Sequence, residues 1–445
     1  MHNTKTSRLQ GGFLAIIVAE FFLYPRFSIY GAYVRPVDLL ILCVFVIILF
    51  QYFLHRNDLI DPSGLLERNG IITPLFILLI STIISAIFAN YLNLAIKDTI
   101  QLVELAIIVY ITNIISHYNE SRARIILTIL VMSLFEAILG AFQFITNTGN
   151  IYLQPSIVRA SGTLGNELAG YLLVGVVAGL AFLVGKCLYD RIPLWLPILA
   201  TSLVTAVLIL TQVRGAWITL FFILAGCLLF YHVYWKRLLA VGLVTMVFLM
   251  IFLMGRALLL SESRPGEGIG DEFTKALEKR GATTINSRFL LWQTAVKMWR
   301  NNPLLGVGPG NYGQVLTKYS LTDMDLRIMI ERFHLSPEID AHSGFFTQLA
   351  EGGALGLASQ LFLLLSSIGI AWRSYRFRHT KGYIEVWEVA SFLIVIVSLP
   401  AYFYSVLPGT KLYWIILGML ATTTREMTFK SHNKEGRLKG GILKG

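Results

Sequence analysis

Charged side chains are scarce in this chain, because Asp, Glu, Lys and Arg make up only 14% of its 445 residues. Soluble domains carry about 25% charged residues, so the composition excludes a water-soluble globular protein. Hydrophobic residues account for 55% of the sequence, and the mean hydropathy is +0.66. Values of this kind are typical of an integral membrane protein.

Cysteine is scarce as well. The three cysteines, Cys43, Cys187 and Cys227, all fall within apolar runs of the sequence. This placement excludes a disulfide framework and predicts that the cysteines form no metal site. A cleavage site of small residues is also missing after the first apolar run, which leads instead to Tyr24-Pro25. The first run is therefore predicted to remain as a membrane anchor.

Apolar windows of about 20 residues, the length that crosses a bilayer as a helix, recur along nearly the whole chain. They predict an all-α polytopic membrane protein of about twelve unbroken transmembrane helices, with one long, partly helical external loop between spans 9 and 10. The predicted spans cover residues 11–30, 37–54, 71–89, 98–115, 125–145, 168–186, 194–211, 216–234, 238–254, 344–372, 386–404 and 410–424.

Lysine and arginine are distributed unequally between the two sides of these spans. Twenty lie in the short loops and termini of one side and six in the short loops of the other. Cytoplasmic loops carry the excess, so both termini are predicted to be cytoplasmic. The net charge of +11 therefore sets topology and does not indicate nucleic-acid binding. The chain divides into spans 1–9 (1–254), a large external, periplasmic loop (255–343), spans 10–12 (344–424) and a cytoplasmic tail (425–445).

The long external loop has helical patterns of its own. Residues 271–281 resemble a short amphipathic helix with acids at its start and bases at its end. Ser287 can cap a second helix that Pro303 terminates, and the apolar residues of that helix suit the bilayer surface. The stretch GVGPGNYG predicts a tight turn, and residues 311–319 a further short helix.

The polar loop ends, and an apolar span begins, within the stretch DAHSGFFTQLAEGGALG from Asp340 to Gly356. Ser343 can cap the helix that follows, because its hydroxyl can accept a hydrogen bond from the first turn. His342 is thus predicted at the membrane interface, where an imidazole can take or give a proton near neutral pH. The alternative is an interfacial histidine that only bonds a lipid headgroup or a carbonyl.

Three arginines, Arg159, Arg214 and Arg288, are predicted beside membrane-entering helices on the same side as His342. Desolvating a guanidinium there is costly unless an anion pairs with it. No acidic residue of the short external loops suffices for all three, whereas phosphate oxygens suit the guanidinium fork. A phosphate-bearing ligand is the functional interpretation, and headgroup binding or snorkelling is the alternative.

Several other patterns are weaker. Gly308, Gly310 and Gly313 satisfy G-x-G-x-x-G, but no strand precedes them, so a structural turn is favoured over nucleotide binding. Asp323-Met-Asp325 resembles the metal-binding pair of nucleotide-sugar glycosyltransferases, with a solvated loop as the alternative. His334 and His342 match no common metal-ligand spacing. Intramembrane carboxylates are candidates either for function or for hydrogen bonding between helices; here they are Glu104, Glu136 and Glu351.

Taken together, these motifs resemble the O-antigen ligase and polymerase superfamily of bacterial envelope glycan assembly. His342-Ser343, nine residues and then Gly353-Ala354-Leu355-Gly356 fit its H-[NSQ]-x9-G-x-x-[GTY] pattern without a gap. TQVRGAWITL resembles its arginine hairpin, and SRFLLWQTAVKMWRNNPLLGVGPGNY the core of its external loop. RASGTLGNELAGYL resembles the segment after its fifth span, although Glu167 replaces the usual polar residue, which leaves the roles of Arg159 and Glu167 open.

This resemblance implies a metal-independent, cofactor-free, inverting enzyme of the bacterial inner membrane with its active site on the periplasmic face. The enzyme would move a glycan from a polyprenyl (undecaprenyl) diphosphate carrier to an acceptor hydroxyl on another glycan or on lipid A–core. By position, Arg214 and Arg288 would bind the diphosphate, with Arg159 near them, and His342 would handle the acceptor proton. Ser343, Gly308, Gly310, Gly353 and Gly356 would be motif or structural residues.

Other functions remain open at the level of sequence. Ligase and polymerase are not distinguished, and a protein O-oligosaccharyltransferase would differ only in its acceptor. The multi-span peptidoglycan polymerases are disfavoured by the His-Ser motif. A transporter or flippase of lipid-linked glycans would require broken helices and charged residues near the midplane of the membrane.

Overall fold

The fold is described from a computed structural model for residues 2–22, 27–29, 32–34, 36–54, 70–116, 119–146, 148, 160, 164, 167–185, 192–263, 288–319, 339–378, 384–404 and 410–422. In these residues the chain is helical apart from one short hairpin. The helices are α1 His2–Phe22, α2 Pro36–Leu54, α3 Ile72–Ile87, α4 Leu92–Ile115, α5 Asn119–Thr146, α6 Leu168–Val184, α7 Trp195–Leu210, α8 Arg214–Phe230, α9 Trp235–Ser263, α10 (288–301), α11 Tyr312–Tyr319, α12 Gly344–Arg378, α13 Val386–Ile396, α14 Ser398–Phe403 and α15 Lys411–Thr422.

Each apolar window predicted as a span contains a helix. Within the described residues three helical stretches are long and apolar enough to cross a membrane: Glu120–Thr146, His232–Leu259 and Gly344–Arg376. Eight shorter apolar helices accompany them. The class of helical, multi-pass membrane protein is therefore confirmed, and the number of twelve crossings stays a prediction.

The first predicted span differs from the observed structure. Helix α1 ends at Phe22, and β1 Phe27–Ile29 pairs antiparallel with β2 Ala32–Val34 before α2 begins. A proline disfavours the helical conformation at the residue before it, so Pro25 in the sequence explains why the helix stops early. The all-α class stands, and this hairpin of two three-residue strands is a local exception to it.

Helix α6 lies at the centre of the bundle, where it packs against α5, α7, α8 and α13. Nearly all of its side chains are buried. A Cβ added at Gly175 would lie 2.4 Å from the Ser133 side chain, and one at Gly179 would lie 2.1 Å from Thr201 Oγ1. Small residues four apart therefore let α5 and α7 approach the backbone of α6 closely, as in other membrane bundles.

The loop before α12 forms a second, smaller core. Helix α10 ends just before Pro303, as predicted, and the predicted short helix is present as α11. The predicted helix at 271–281 lies outside the described residues. The side chains of this core come from α10, α11 and the start of α12, namely Leu291, Ala295, Met298, Val307, Tyr312, Val315, Leu316, Tyr319, Ala341 and Ala350. The described part of this loop is thus packed onto α12 as a structured unit.

Helix α12 is broken near its start. Gly353 has φ 63° and ψ −158°, values outside the helical region and accessible chiefly to glycine. Helix α12 packs along α3 and α13 on either side of this break. The expectation of unbroken spans is therefore wrong for this helix, and the cause lies in the loop that packs against it.

Candidate active site

A histidine and an aspartate pair at the start of α12. His342 adopts φ 49°, a left-handed conformation that side chains other than glycine rarely take. Its backbone N–H donates to Asp340 Oδ1 at 2.8 Å, and its Nδ1 lies 3.2 Å from the same oxygen. Both side chains are partly exposed, at 44% and 42%. A carboxylate at Nδ1 favours the tautomer with its proton there, which assigns the lone pair of the neutral ring to Nε2.

The charge of Asp340 depends on this pairing. Burial raises the pKa of the Asp340 carboxyl, but the hydrogen bonds and charge of His342 and the charge of Arg288 outweigh it, so the pKa is lowered overall. Because the pKa is lowered, these contacts contribute their full stability when the pH is above the ordinary carboxyl pKa. That stability is lost as the pH falls through the lowered pKa of Asp340. Asp340 is therefore ionised throughout the neutral range, in which it can orient an imidazole.

Ser343 does not cap α12 in the predicted way. Its carbonyl accepts the Thr347 N–H at 2.8 Å. Its side chain is fully buried, and among the described residues its Oγ has no hydrogen-bond partner. Instead, the Thr347 hydroxyl accepts a hydrogen bond from the Ala341 N–H at 3.2 Å. The capping prediction for Ser343 is wrong, because its hydroxyl accepts no N–H group of the first turn.

Arg288 begins the described part of α10 and is partly buried. Burial lowers the pKa of its guanidinium, the charges of Tyr404 and Asp340 raise it, and the charge of Arg214 lowers it further. The guanidinium carbon lies 5.8 Å from the centre of the Tyr404 ring. Arg288 is thus within electrostatic range of both Arg214 and the His342–Asp340 pair. Two guanidinium groups that repel each other in this way favour an anion between them.

Arg214 is the first residue of α8, directly after a turn in which Gln212 has φ 56°. The turn is held by Trp217, whose indole N–H donates to the Ile209 carbonyl at 3.2 Å. Arg159 lies outside the described residues. Its neighbour Ala160 donates its N–H to the Leu210 carbonyl at 3.2 Å, which ties that segment to the arginine hairpin.

Aromatic side chains hold α10 against the start of α12. The Trp292 indole N–H donates to the Ala341 carbonyl at 3.0 Å, directly before His342. The Trp292 ring stacks on Phe346 with centroids 5.1 Å apart and meets Phe403 edge-on at the same distance. Trp292 therefore fixes the position of α10 relative to the His342–Asp340 pair.

The glycine-rich turn between α10 and α11 fits into the break of α12. The N–H groups of Val307 and Gly308 donate to the carbonyls of Ala350 and Glu351, at 2.9 and 3.0 Å. In return the carbonyls of Pro303 and Leu304 accept the N–H groups of Ala354 and Leu355, at 2.8 and 3.2 Å. A regular helix would pair Ala354 with Ala350 and Leu355 with Glu351. Two hydrogen bonds within α12 are therefore missing, and four hydrogen bonds between α12 and the turn take their place.

Glycine is required where the turn and the helix meet. A Cβ on Gly353 would lie 2.5 Å from the Leu304 carbonyl group. Gly308 has φ 101° and Gly310 φ 67°, and a Cβ on them would meet Ala89 at 2.3 Å and Asp98 at 2.8 Å. Gly356 faces the Gln348 amide, 2.7 Å from an added Cβ. These contacts support the structural interpretation of the G-x-G-x-x-G pattern.

The intramembrane carboxylates lie in different surroundings. Glu351 Oε1 accepts the Tyr312 N–H at 2.9 Å, so this carboxylate belongs to the junction between the turn and α12. Glu136 is fully buried within α5, and Glu167 precedes α6 without a capping hydrogen bond from its side chain. Neither is among the groups whose charges act on Arg288.

Glu104 belongs to a separate buried cluster centred on Lys411, the first residue of α15. Lys411 Nζ donates to Asp38 and to Glu104 and lies 3.7 Å from Glu20 Oε2. The Tyr171 hydroxyl donates to the other oxygen of Glu20. This Lys411 cluster joins α1, α2, α4 and α15 to the central helix α6. Its contacts explain the position of Glu104 without a catalytic role.

Sequence reasoning missed Asp340, Trp292 and Tyr404 as members of the site. The Asp-x-His spacing of Asp340 and His342 is the one sequence signal that indicates such a pair. Within the described ranges no group of three or more His, Cys, Asp or Glu side chains has an arrangement that could hold a metal ion. Asp323, Asp325 and His334 lie outside those ranges.

The fold and the site together define a multi-pass helical membrane protein with a histidine–aspartate pair and two arginines next to the end of one membrane helix. Residues 199–361 match the family model described as O-antigen ligase. This match supports the O-antigen ligase and polymerase superfamily. The matched segment runs from α7 into α12 and includes Arg214, Arg288 and His342. No curated protein matches the chain.

Proposed function

We propose that this chain is an inverting, metal-independent glycosyltransferase that moves a glycan from a polyprenyl diphosphate to an acceptor hydroxyl. The proposal extends the family match, which supports a glycosyltransferase-type membrane enzyme handling lipid-linked glycans and their acceptors. The observation that carries it is the His342–Asp340 pair within electrostatic range of Arg288, which in turn interacts with Arg214. Base and anion-binding groups lie next to each other, as transfer from a diphosphate requires.

The reaction is a single displacement at the anomeric carbon. The acceptor oxygen forms a bond to that carbon while the bond from carbon to the diphosphate oxygen breaks, and the electron pair leaves with the polyprenyl diphosphate. The acceptor proton passes to His342 Nε2, and Asp340 stabilises the imidazolium that results. Attack from the side opposite the leaving group inverts the configuration of the sugar.

The arginines stabilise the leaving group. Charge builds up on the diphosphate as its bond to the sugar breaks, and fixed guanidinium groups stabilise that charge without rearrangement. Arg214 and Arg288 supply this stabilisation, and Arg159 adds to it from the segment tied to Leu210. The donor's lipid tail holds its diphosphate at the membrane surface, and we place the reaction on the outer side of the bacterial inner membrane, to which the basic-residue asymmetry assigns the external loop.

The His342→Gln variant tests the assignment of the base. Glutamine keeps a hydrogen-bonding edge but takes up no proton, so glycan transfer should fall by about 10²–10⁴-fold while donor binding is retained. Near-normal transfer by His342→Gln at equal protein level would contradict the assignment.

A transporter of lipid-linked glycans is the second candidate, because the break in α12 is a feature that such proteins use. In this chain, however, the backbone of residues 303–308 fills the break and takes up its hydrogen bonds. Glycan movement across vesicles that lack any acceptor, measured with the wild-type protein, would favour transport. Transfer that requires an acceptor favours the enzyme.

A further inference from the structure

This inference rests on the proposed function and concerns how the diphosphate-binding arginine is held. We propose that Glu351 is a positioning residue, which fixes α10 and therefore Arg288 at the distance from His342 that diphosphate binding requires. Glu351 lies on α12, nine residues after His342, and does not touch the arginines through any bond described above. It acts through Tyr312 and Leu291.

The first step joins α12 to α11. Glu351 Oε1 accepts the N–H of Tyr312, the first residue of α11, at 2.9 Å. The Gly310 N–H donates to the same carboxylate. A carboxylate at a helix N-terminus satisfies a donor that has no partner within the helix and is stabilised by the helix dipole. Glu351 thus caps α11 from a different helix.

The second step joins α11 to α10. The Tyr312 side chain is fully buried, and its hydroxyl donates to the Leu291 carbonyl at 2.7 Å. Leu291 lies one helical turn after Arg288 and is itself buried in the small core that α10 and α11 share. Movement of Tyr312 is therefore transmitted to the end of α10 that carries Arg288.

A positioning residue is needed here because Arg288 faces a like charge. The charge of Arg214 lowers the pKa of the Arg288 guanidinium, so the two like charges repel each other when no anion lies between them. The Trp292 bond to Ala341 and the bonds of Pro303 and Leu304 to α12 hold the middle and the far end of α10. The bond from Tyr312 to Leu291 attaches the turn of α10 that follows Arg288, so Arg288 keeps its place before the donor arrives.

The test compares three variants of the full-length protein in lipid nanodiscs, with undecaprenyl diphosphate as the binding probe. Glu351→Met removes the acceptor at similar volume, Glu351→Gln keeps an oxygen for the two N–H groups, and Tyr312→Phe removes the bond to Leu291. Met and Phe should each weaken probe binding by about tenfold, whereas Gln should bind like wild type. The double variant Glu351→Met/Tyr312→Phe should be no weaker than either single one, because both break the same link.

The matched control is Asn302→Ala. Asn302 Nδ2 donates to the Tyr319 hydroxyl at 3.4 Å, which joins the far ends of α10 and α11 from Arg288. This variant loosens the same helix pair but should leave probe binding unchanged. A general loss of packing would instead weaken binding in Asn302→Ala as much as in Glu351→Met, and that result overturns the proposal.

Other outcomes are equally decisive. Binding by Glu351→Met at wild-type strength, or binding by Glu351→Gln as weak as that of Met, would each overturn the positioning role. Arg288→Lys separates this failure from a failure of the proposed function. If Arg288→Lys weakens probe binding and Glu351→Met does not, only the positioning role is lost. If Arg288→Lys has no effect either, the diphosphate site itself is wrong.

Discussion

The Lys411 cluster gives the sharpest prediction about stability. The Lys411 side chain is 4% exposed, and it is the ammonium shared by Glu20, Asp38 and Glu104, whose side chains are 2%, 22% and 18% exposed. Lys411→Met keeps a long apolar stem but removes this ammonium. Breaking a buried ion pair by removing one partner costs about 3–5 kcal/mol, because the remaining charge stays desolvated. We expect a loss of stability in that range.

The control for this variant is an exposed ion pair of the same chain. Arg124 Nη2 lies 3.2 Å from Glu120 Oε2, and the two side chains are 43% and 70% exposed. Exposed pairs contribute about 0.2–1 kcal/mol, since water screens both charges. The loss in free energy of unfolding should therefore be several-fold smaller for Arg124→Met than for Lys411→Met.

Equilibrium unfolding of the purified variants in mixed detergent micelles measures the difference. Adding Glu104→Gln to Lys411→Met should restore part of the loss, because a neutral amide needs no buried cation. If Lys411→Met were no less stable than Arg124→Met, the view that this cluster holds four peripheral helices to α6 would be refuted. That view would equally fail if Glu104→Gln lowered stability further in the Lys411→Met background.

Three further predictions concern the site and its topology. Arg288→Lys keeps the charge but loses the bidentate fork, so glycan transfer should fall by about tenfold or more. If a variant with lysine at both 214 and 288 were fully active, the two arginines would only attract anions by their charge and would not bind the diphosphate through the fork. Ser343→Ala should leave the free energy of unfolding unchanged or raise it, because the fully buried hydroxyl has no hydrogen-bond partner in the described structure and its desolvation is uncompensated; a loss of about 1 kcal/mol, as for a helix cap, would contradict this geometry. A membrane-impermeant thiol reagent should label a cysteine placed at Thr283 from outside and spare one at Arg376, and the reverse pattern would put the site in the wrong compartment.

Much of the helical framework could be predicted because hydropathy acts locally. The windows at 168–186 and 194–211 are apolar throughout, and helices α6 and α7 lie within them. Proline and glycine are equally local, so the end of α10 before Pro303 and the turn at 306–310 follow from the residues themselves. These elements need no knowledge of what packs against them.

The break in α12 could not be predicted in this way. Gly353 stands in an apolar run, where a glycine is as often a site of close helix packing as a break. What decides between them is the turn at 303–308, about 45 residues earlier in the chain, which supplies the alternative hydrogen bonds. Lys411 shows the same difficulty, because its position near a span end indicates a topogenic loop residue. Its three carboxylate partners come from helices far away in the sequence.

The candidate site was partly predictable for a related reason. Arg214, Arg288 and His342 stand at the ends of apolar runs, so the sequence alone assigns them to one side of the membrane. The role of Asp340 depends on the left-handed backbone of His342, which brings the carboxylate back to the imidazole. Histidine adopts this conformation more often than most residues, but it remains uncommon, so the sequence alone does not assign it to His342.

The exchange of hydrogen bonds between the glycine-rich turn and α12 has a consequence for how the protein is made. In a bilayer every backbone N–H and C=O needs a partner. We therefore expect residues 350–355 to enter the membrane as a continuous helix paired with itself, because the turn can supply its hydrogen bonds only once both segments are on the same side. On that expectation the break forms afterwards, when the loop docks and provides partners for the four groups. The start of α12, which carries His342, then assumes its final direction in the last step of assembly.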